Sequence, residues 1–162
     1  MALVDYFLKI DGIDGESADE KHKNEIDVID WNWAETQAGT MAHGGGGGAG
    51  KVKMEDFSFT MRVNKASPKL LKACACGEHI KNAKLTARKA GKGQQEYLII
   101  KFTDLLVSSF ATGGNANAET IPIDRIALNY AKIEYEYKEQ KADGSMGGGI
   151  TAGYDLKANK PI

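Results

Sequence analysis

The segment IPIDRIALNYAKIEYEY, residues 121–137, alternates between apolar and polar side chains along most of its length. From Ile126 to Tyr130 the apolar side chains occupy even positions, whereas from Ile133 to Tyr137 they occupy odd positions. Successive side chains of a β-strand point to opposite faces, so a change of parity means that the apolar side changes face. The segment therefore predicts a long strand that bends around the corner of a strongly curved sheet.

Two earlier segments show the same change of parity. In residues 26–33, IDVIDWNW, the apolar side chains move from even to odd positions, and residues 52–63 repeat the change. A bulge would allow one strand to make it. Further strands are predicted at residues 4–10, 84–90 and 150–156, and residues 97–110 are predicted to form one long strand or a pair of strands. We therefore predict a mainly β fold: an antiparallel β-barrel of two sheets with one short α-helix and a long glycine-rich extended loop.

The one predicted helix lies in the segment SPKLLKACACG, residues 67–77. Ser67 is suited to cap the first turn, Pro68 to occupy the first helical position, and Gly77 to end the helix. The helical spacing predicts an apolar face that consists of Leu70, Leu71 and Cys74.

The length and composition are those of one globular domain, which we place at residues 1–162. With 21 basic and 22 acidic residues the formal net charge is −1, so we predict no nucleic-acid partner. The same low net charge means that little electrostatic repulsion opposes self-association. No apolar run is long enough for a membrane helix, and we expect neither membrane insertion nor a signal peptide. Cys74 and Cys76 give no disulfide framework, which indicates a chain made in the cytoplasm.

The segment GGGGAGK, residues 45–51, matches the first seven positions of a phosphate-binding P-loop, but its surroundings do not. Val52 stands where a P-loop has the Ser or Thr that binds magnesium. The residues that follow alternate with period two, so a strand is expected there and not the helix that would hold a phosphate. We predict no nucleotide, and instead a long loop between two strands, which is uncommon in compact domains and often functional.

No set of residues predicts catalysis, a metal site or a cofactor, and we expect the protein not to be an enzyme. Cys74, Cys76 and His79 could suggest a zinc site, but a structural zinc ion needs four converging ligands. Cys74 and Cys76 are two residues apart on the predicted helix and therefore point to different sides. The acidic residues between Asp11 and Glu20 lack the spacing of a calcium-binding loop, and we expect a solvated loop there.

The segment WNW, residues 31–33, places two indole rings on one face of a strand and Asn32 on the other. We expect Trp31 and Trp33 to pack in the core. The question that follows is what the face of Asn32 contacts.

Nine segments of the chain match one family in order and spacing. They are GES at 15–17 with His22, EIDV at 25–28, WNW at 31–33, GGGGGAGK at 44–51, DFSFT at 56–60, SPKLLKAC at 67–74, AKLTARKAG at 83–91, EYLIIKFTDLLVSS at 96–109 and KADG at 141–144. On these segments the sequence resembles the Hcp family, the haemolysin-coregulated proteins that form the inner tube of the type VI secretion system. The resemblance implies the same two-sheet barrel, with one helix and a long extended loop.

The resemblance also implies a function and partners. Hcp-like subunits close into hexameric rings, and the rings stack into a tube. The implied partners are further copies of the chain, a contractile sheath, a VgrG-type spike, and effector proteins that are carried or protected in the lumen. Such a protein assembles in the cytoplasm and is then secreted through the type VI machine without a signal peptide.

Two parts of the chain receive roles in this hypothesis. The loop between residues 39 and 53 would reach a neighbouring subunit or ring, since glycines allow a backbone to lie close against another chain. Its proposed contact residues are Met41, His43, Gly44, Gly45, Gly46, Gly47, Gly48, Gly50 and Lys51. Asn32 would face the lumen and contact cargo if the two tryptophans pack in the barrel.

Two other functions remain as alternatives. One is a tail-tube subunit of a phage or phage-like particle, and the other is a stand-alone secreted β-domain that binds a ligand. A sugar-binding cleft would need exposed aromatic side chains. Tyr135 and Tyr137 alternate with glutamates, which is more simply the pattern of a half-buried strand.

Overall fold

A computed structural model describes residues 3–39, 51–89 and 93–162. Within these ranges the chain is mainly β-strand, and every pairing between strands is antiparallel. In chain order the elements are β1 (Val4–Ile10), β2 (Ile26–Asp27), β3 (Asp30–Asn32), β4 (Glu35–Thr36), β5 (Lys53–Met54), β6 (Phe57–Arg62), α1 (Ala66–Cys76), β7 (Ile80–Lys89), β8 (Glu96–Gly113), β9 (Ile123–Gln140), β10 (Met146–Asp155) and β11 (Lys160–Pro161).

Two strands of 18 residues each, β8 and β9, form the centre of the fold and belong to both of its sheets. They pair from Leu98 opposite Tyr137 to Gly113 opposite Ile123. On its other edge, β9 pairs with β6 through its first half and with β10 through its second half. Among the described residues, nine strands thus form one hydrogen-bonded sheet that bends into two walls. We call the wall with the order β11-β10-β9-β8-β7-β1-β2 the larger sheet and the wall with the order β3-β6-β9-β8 the smaller sheet.

In both central strands the buried side chains move from one face of the strand to the other at the same level. This change makes the corner between the sheets. In β8, Phe102 and Leu105 are both buried although they are three residues apart, and Asp104 between them has a positive φ of 52°. In β9 the change falls between the buried residues Tyr130 and Ile133. Leu105 lies opposite Tyr130, so the two changes coincide across the ladder. The predicted change of face in this strand is confirmed.

The segment 26–32 connects the two sheets at a second place. β2 pairs with β1 in the larger sheet, whereas β3 pairs with β6 in the smaller one. The Val28 N–H donates to the Tyr6 carbonyl at 3.0 Å, and the next N–H, of Ile29, donates to the Thr60 carbonyl at 2.8 Å. The predicted bulged strand is therefore wrong, because two short strands with different partners produce the change of parity. Because the chain passes here from one sheet to the other, the two sheets face each other like the walls of a barrel. The strand pairs do not form a closed ring in the described residues.

In residues 52–63 the apolar side chains also move from even to odd positions because two short strands with different partners follow one another. β5 pairs with β4 in a separate two-stranded ribbon, and β6 belongs to the smaller sheet. The residues between β5 and β6 turn the chain from one structure to the other. The ribbon β4–β5 therefore lies outside the nine-stranded sheet and forms the base of the glycine-rich loop.

The core fills the space between the two sheets. Its largest fully buried side chains are Phe57, Phe59, Phe102, Leu8, Ile26, Met61, Leu70, Leu85, Ile100, Leu105, Ile126 and Leu128. Burial of each large apolar side chain stabilises the fold by about 1.5–3 kcal/mol relative to its exposure. Phe57 lies at the centre of the aromatic group, 4.8 Å from Phe102 and 6.0 Å from Trp31 between ring centroids.

Helix α1 packs against β8 and closes one end of the core. Its C-terminus is as predicted: Gly77 adopts a left-handed φ of 62°, and the Glu78 N–H donates to the Ala73 carbonyl at 3.0 Å. The N-terminus differs from the prediction, because the helix already begins at Ala66. The Asn64 side-chain oxygen accepts the Ala66 N–H at 2.8 Å, so Asn64 performs the role that was assigned to Ser67.

Ser67 has a tertiary role. Its hydroxyl donates to the buried Asp124 carboxylate at 2.5 Å and so joins the first turn of α1 to β9. The predicted apolar face is partly wrong as well. Leu70 is fully buried together with Ala73, whereas Leu71 is exposed.

Candidate functional site

The glycine-rich loop is only partly within the described residues. Met41, His43, Gly44, Gly45, Gly46, Gly47, Gly48 and Gly50, which the sequence analysis assigned to subunit contacts, lie outside them. Lys51 is described and exposed, at the end of the loop that leads into β5. The ribbon at the base of the loop pairs Glu35 with Met54 and Thr36 with Lys53.

A hydrogen-bond chain fastens the base of the loop to the core. The Trp33 indole N–H donates to the Tyr130 hydroxyl, which donates to the Glu55 carbonyl at 2.9 Å. Trp33 precedes β4 and Glu55 follows β5, so the two residues lie side by side where the chain enters and leaves the ribbon. Tyr130 bonds to both of them. Burial of the Tyr130 hydroxyl raises its pKa to about 12. The base of the loop therefore has a defined position on the barrel.

Beside this ribbon, the apolar face of the larger sheet extends past the core. Tyr135 and Tyr137 follow buried Ile133 on the same face of β9, and they lie opposite Ala152 and Ile150 of β10. The exposed fractions are 41% for Tyr135, 45% for Tyr137 and 73% for Ile150. We call Tyr135, Tyr137, Ile150 and Ala152 the uncovered face. The smaller sheet covers the rest of the core but does not reach these side chains.

A cavity of 310 Å³ lies between the base of the loop and the uncovered face. Trp33 and Met54 line it on the ribbon side, and Tyr135, Ala152 and Tyr154 line it on the sheet side. The loop base and the uncovered face are thus parts of one continuous surface.

A family model decides what this fold is. The model described as "Type VI secretion system effector, Hcp" matches residues 7–137, which is most of the chain. The chain belongs to the Hcp family. The match spans β1 through most of β9 and so includes both strands that form the corner.

Individual relatives agree with this family. Protein hcp1 of Pseudomonas aeruginosa is 46% identical over 158 residues, which cover 96% of this chain and 97% of that protein. The crystal structure of Hcp1 from Salmonella typhimurium superposes with a TM-score of 0.82 at 42% identity, covering 99% of this chain and 100% of that chain. A structure described as a type six secretion system protein reaches a TM-score of 0.92 at 32% identity, covering 98% and 99%.

In this Hcp chain, Asn32 lies on the outer face of the smaller sheet. Trp31 and Trp33 are half-buried against the core, while Asn32 is exposed and lies opposite Ser58 of β6. Asn32 borders a groove of 520 Å³ that also includes Thr60, Ser109 and Arg125. The predicted division of WNW is confirmed, because the two tryptophans pack against the core and the asparagine points outward. The groove beside Asn32 contains small polar side chains together with the charged side chains of Asp30 and Arg125.

The loop before β2 carries interactions that sequence reasoning missed. The Arg88 guanidinium donates two hydrogen bonds to the Asp19 carboxylate, at 2.7 and 3.0 Å, and one to Asp5 at 3.0 Å. It also lies 4.8 Å from the centre of the Phe7 ring. The hydrogen bonds from Arg88 lower the pKa of Asp19 to about 2. The expectation of a solvated loop is therefore wrong for Asp19.

His22 fastens the same loop a second time. Its two ring nitrogens lie 2.8 Å from Glu25 and 2.8 Å from Glu96, and its ring stacks on Phe7 with 4.3 Å between centroids. Gly15 completes the fold of the loop, since a Cβ there would lie 2.5 Å from the Glu25 carbonyl oxygen. The segments GES and EIDV, which carried the family resemblance, are thus parts of one packed structure.

The described residues contain neither a metal-binding cluster nor a helix suited to a membrane. Within residues 3–39, 51–89 and 93–162, no group of three or more His, Cys, Asp or Glu side chains is arranged to hold a metal ion. Cys74 is half-buried, and Cys76 is exposed. Over the same ranges, no helix has the length and apolar character to span a membrane.

Proposed function

We propose that this Hcp-family chain acts as one domain, residues 1–162, and is a structural subunit of the type VI secretion tube. Its copies close into hexameric rings, and the rings stack and carry or protect effectors in the lumen. The uncovered face is the observation that carries the proposal. Contiguous exposed apolar side chains mark interaction sites in soluble proteins, and these lie beside the base of the loop that the proposal assigns to neighbouring subunits.

A ring needs two different surfaces on each subunit, because a head-to-tail contact joins unlike patches. The chain offers a second apolar patch at the opposite end of β9. Val63 and Ile121 are both exposed, and the Val63 N–H donates to the carbonyl of Pro122 at 2.9 Å, which holds them side by side. We assign the contact between neighbours to the uncovered face of one subunit and the patch of Val63 and Ile121 on the next.

The remaining roles follow from ring formation. Residues 39–53 contact a neighbouring subunit or ring through the glycine-rich loop. The groove around Asn32 faces the lumen and contacts effectors through polar side chains such as Ser58, Thr60 and Ser109. A contractile sheath surrounds the stacked rings, and a VgrG-type spike caps them. The protein assembles in the cytoplasm and leaves through the machine without a cleaved signal.

Two matched variants test the ring contact. Ile150→Lys places a charge on the uncovered face, while Thr151→Lys adds the same charge to the opposite face of β10, beside Glu136. Negative-stain electron microscopy and analytical ultracentrifugation would compare both variants with the unaltered protein. We expect six-fold rings with an open centre for the unaltered protein and Thr151→Lys, and monomers for Ile150→Lys.

The outcomes separate the proposal from its rivals. Rings that persist in Ile150→Lys would move the contact away from the uncovered face but keep the tube function. Compact monomers of the unaltered protein at high concentration would contradict the tube function itself and favour a stand-alone ligand-binding domain.

A further inference from the structure

Three lysines form a straight row across the polar face of the larger sheet. Lys9 of β1 lies directly opposite Lys84 of β7, and Lys84 lies directly opposite Lys101 of β8. The register of three adjacent strands thus places three like charges side by side. Lys9 and Lys101 are exposed, and Lys84 is half-buried.

This arrangement is unfavourable for the isolated chain. Side chains directly opposite each other in an antiparallel pair have Cβ atoms about 4.5–5.5 Å apart, and like charges at that distance destabilise the sheet. In the part of the chain that the structure describes, no carboxylate lies within 4.0 Å of any of these three amino groups. Lys84, at the centre of the row, therefore has a like charge on each side, whereas Lys101 has Glu134 directly opposite it on its other side.

Other lysines on the same face of the sheet are compensated. The Lys132 amino group lies 4.0 Å from Glu134, and the Lys138 amino group lies 3.9 Å from Glu136. Glu134 is the next residue of the row after Lys101, yet its carboxylate has Lys132 as its ion-pair partner. Lysines on this face can therefore form ion pairs, whereas the three lysines of the row form none with carboxylates of the described residues.

The row also borders a depression that a partner could enter. A cavity of 280 Å³ is lined by the three lysines together with Asn82 and Thr103, both of which offer polar side chains. Asp11 and Glu134 line the same cavity, and the Asn82 side-chain amide donates to the Asp11 carboxylate at 3.2 Å. The cavity therefore brings together three lysines, two carboxylates and two neutral polar side chains.

We propose that this lysine row docks an acidic α-helix of a partner protein. Neighbouring strands are about 4.8 Å apart, which sets the spacing of the three charges. Residues at i, i+4 and i+7 of a helix lie on one face and rise about 5 Å from one to the next. Three carboxylates at these positions match the row one to one, and a basic residue at i+11 comes opposite Glu134.

The boundary of the row favours a protein helix over nucleic acid. A nucleic-acid strand presents a continuous line of phosphates, and beyond the third lysine that line would meet Glu134, with Asp11 beside the row. The chain as a whole has a net charge of −1, without the basic excess that is usual for nucleic-acid binding. The row lies within a single chain, so the docking does not depend on ring formation.

A direct binding measurement tests the proposal. The probe is a fluorescently labelled alanine-based helical peptide with glutamates at i, i+4 and i+7 and a lysine at i+11. Fluorescence anisotropy at low and high salt would compare it with a charge-inverted peptide and with single-stranded oligothymidine of similar length. We expect the acidic peptide to bind most tightly, with an affinity that falls as salt rises.

Variants of the chain locate the binding site. Lys84→Glu is expected to weaken peptide binding by about tenfold or more, since it replaces the central attraction by repulsion. Lys101→Gln, at an exposed position, tests the same row if Lys84→Glu folds poorly, as judged by circular dichroism. Lys72→Glu makes the same charge change on the exposed surface of α1 and is expected to leave binding unaltered.

Each other outcome overturns the proposal. Absence of peptide binding at low salt, equal binding of the charge-inverted peptide, or tighter binding of oligothymidine would each do so. Equal losses in Lys84→Glu and Lys72→Glu, or in Lys101→Gln and Lys72→Gln, would show non-specific attraction and exclude a defined site.

Discussion

The two halves of β9 carry the same kind of side chains but have different surroundings. In the first half, Ile126 and Leu128 are covered by the smaller sheet and are almost completely buried. In the second half, Tyr135 and Tyr137 continue the apolar face past the corner and stay exposed. Alternation alone therefore shows which side chains share a face, while the length of the opposite sheet decides which of them belong to the core.

The largest expected effect lies in the first half. Leu128→Ala removes a fully buried side chain between β6 and β8 and leaves a cavity, so it should lower the free energy of unfolding by about 2–5 kcal/mol. Urea denaturation followed by tryptophan fluorescence measures this change. A loss well below 1 kcal/mol would remove the energetic difference between the two halves.

An intermediate effect is expected at the boundary between the halves. Tyr130→Phe leaves the Trp33 indole N–H and the Glu55 carbonyl without their shared partner, which should lower stability by about 1–3 kcal/mol. Tyr154→Phe is the matched control, because its hydroxyl bonds to Asn159 at an exposed site. Similar losses in both variants would contradict a special role of Tyr130 in holding the loop base.

The same tyrosine predicts a dependence on alkaline pH. Its folded pKa of about 12 lies above the tyrosine reference value of 10.0, so folding favours the neutral hydroxyl. This stabilisation is complete below the unfolded pKa and is lost as the pH rises from about 10 towards 12. Urea midpoints measured over this range should fall more steeply for the unaltered protein than for Tyr130→Phe, and parallel curves would exclude the effect.

The smallest effect on stability is expected in the second half. Tyr137→Ser should lower the free energy of unfolding of the monomer by about 1 kcal/mol or less, because nearly half of the side chain is exposed and only cross-strand contacts are lost. If the uncovered face joins subunits, the same change should weaken ring formation in sedimentation velocity. A large loss of monomer stability would show that Tyr137 belongs to the core.

Local features could be predicted from the sequence because their causes are local. Alternation located the corner in β9, the spacing of WNW separated Asn32 from the tryptophans, and Gly77 ended the helix through its left-handed backbone. The family resemblance rested on segments distributed over the whole chain, and the family match supports it.

Features that depend on distant partners could not be predicted. Ser67 donates a hydrogen bond to Asp124, which is 57 residues away. No residue close to Ser67 in the sequence indicates this contact. Asp19 is held by Arg88 of β7, which is 69 residues away. The run of acidic residues around Asp19 by itself indicates only a solvated loop. The lysine row became visible only when the register of three strands was known.

The continuity of β8 and β9 has a mechanical consequence. A force that pulls β8 and β9 in opposite directions along their length loads their ladder in shear, since its hydrogen bonds run perpendicular to the strands. Many bonds must then break together. The ribbon at the base of the glycine-rich loop has only two residue pairs, Glu35 with Met54 and Thr36 with Lys53. Under load, the loop base should therefore yield first and protect the barrel from rupture.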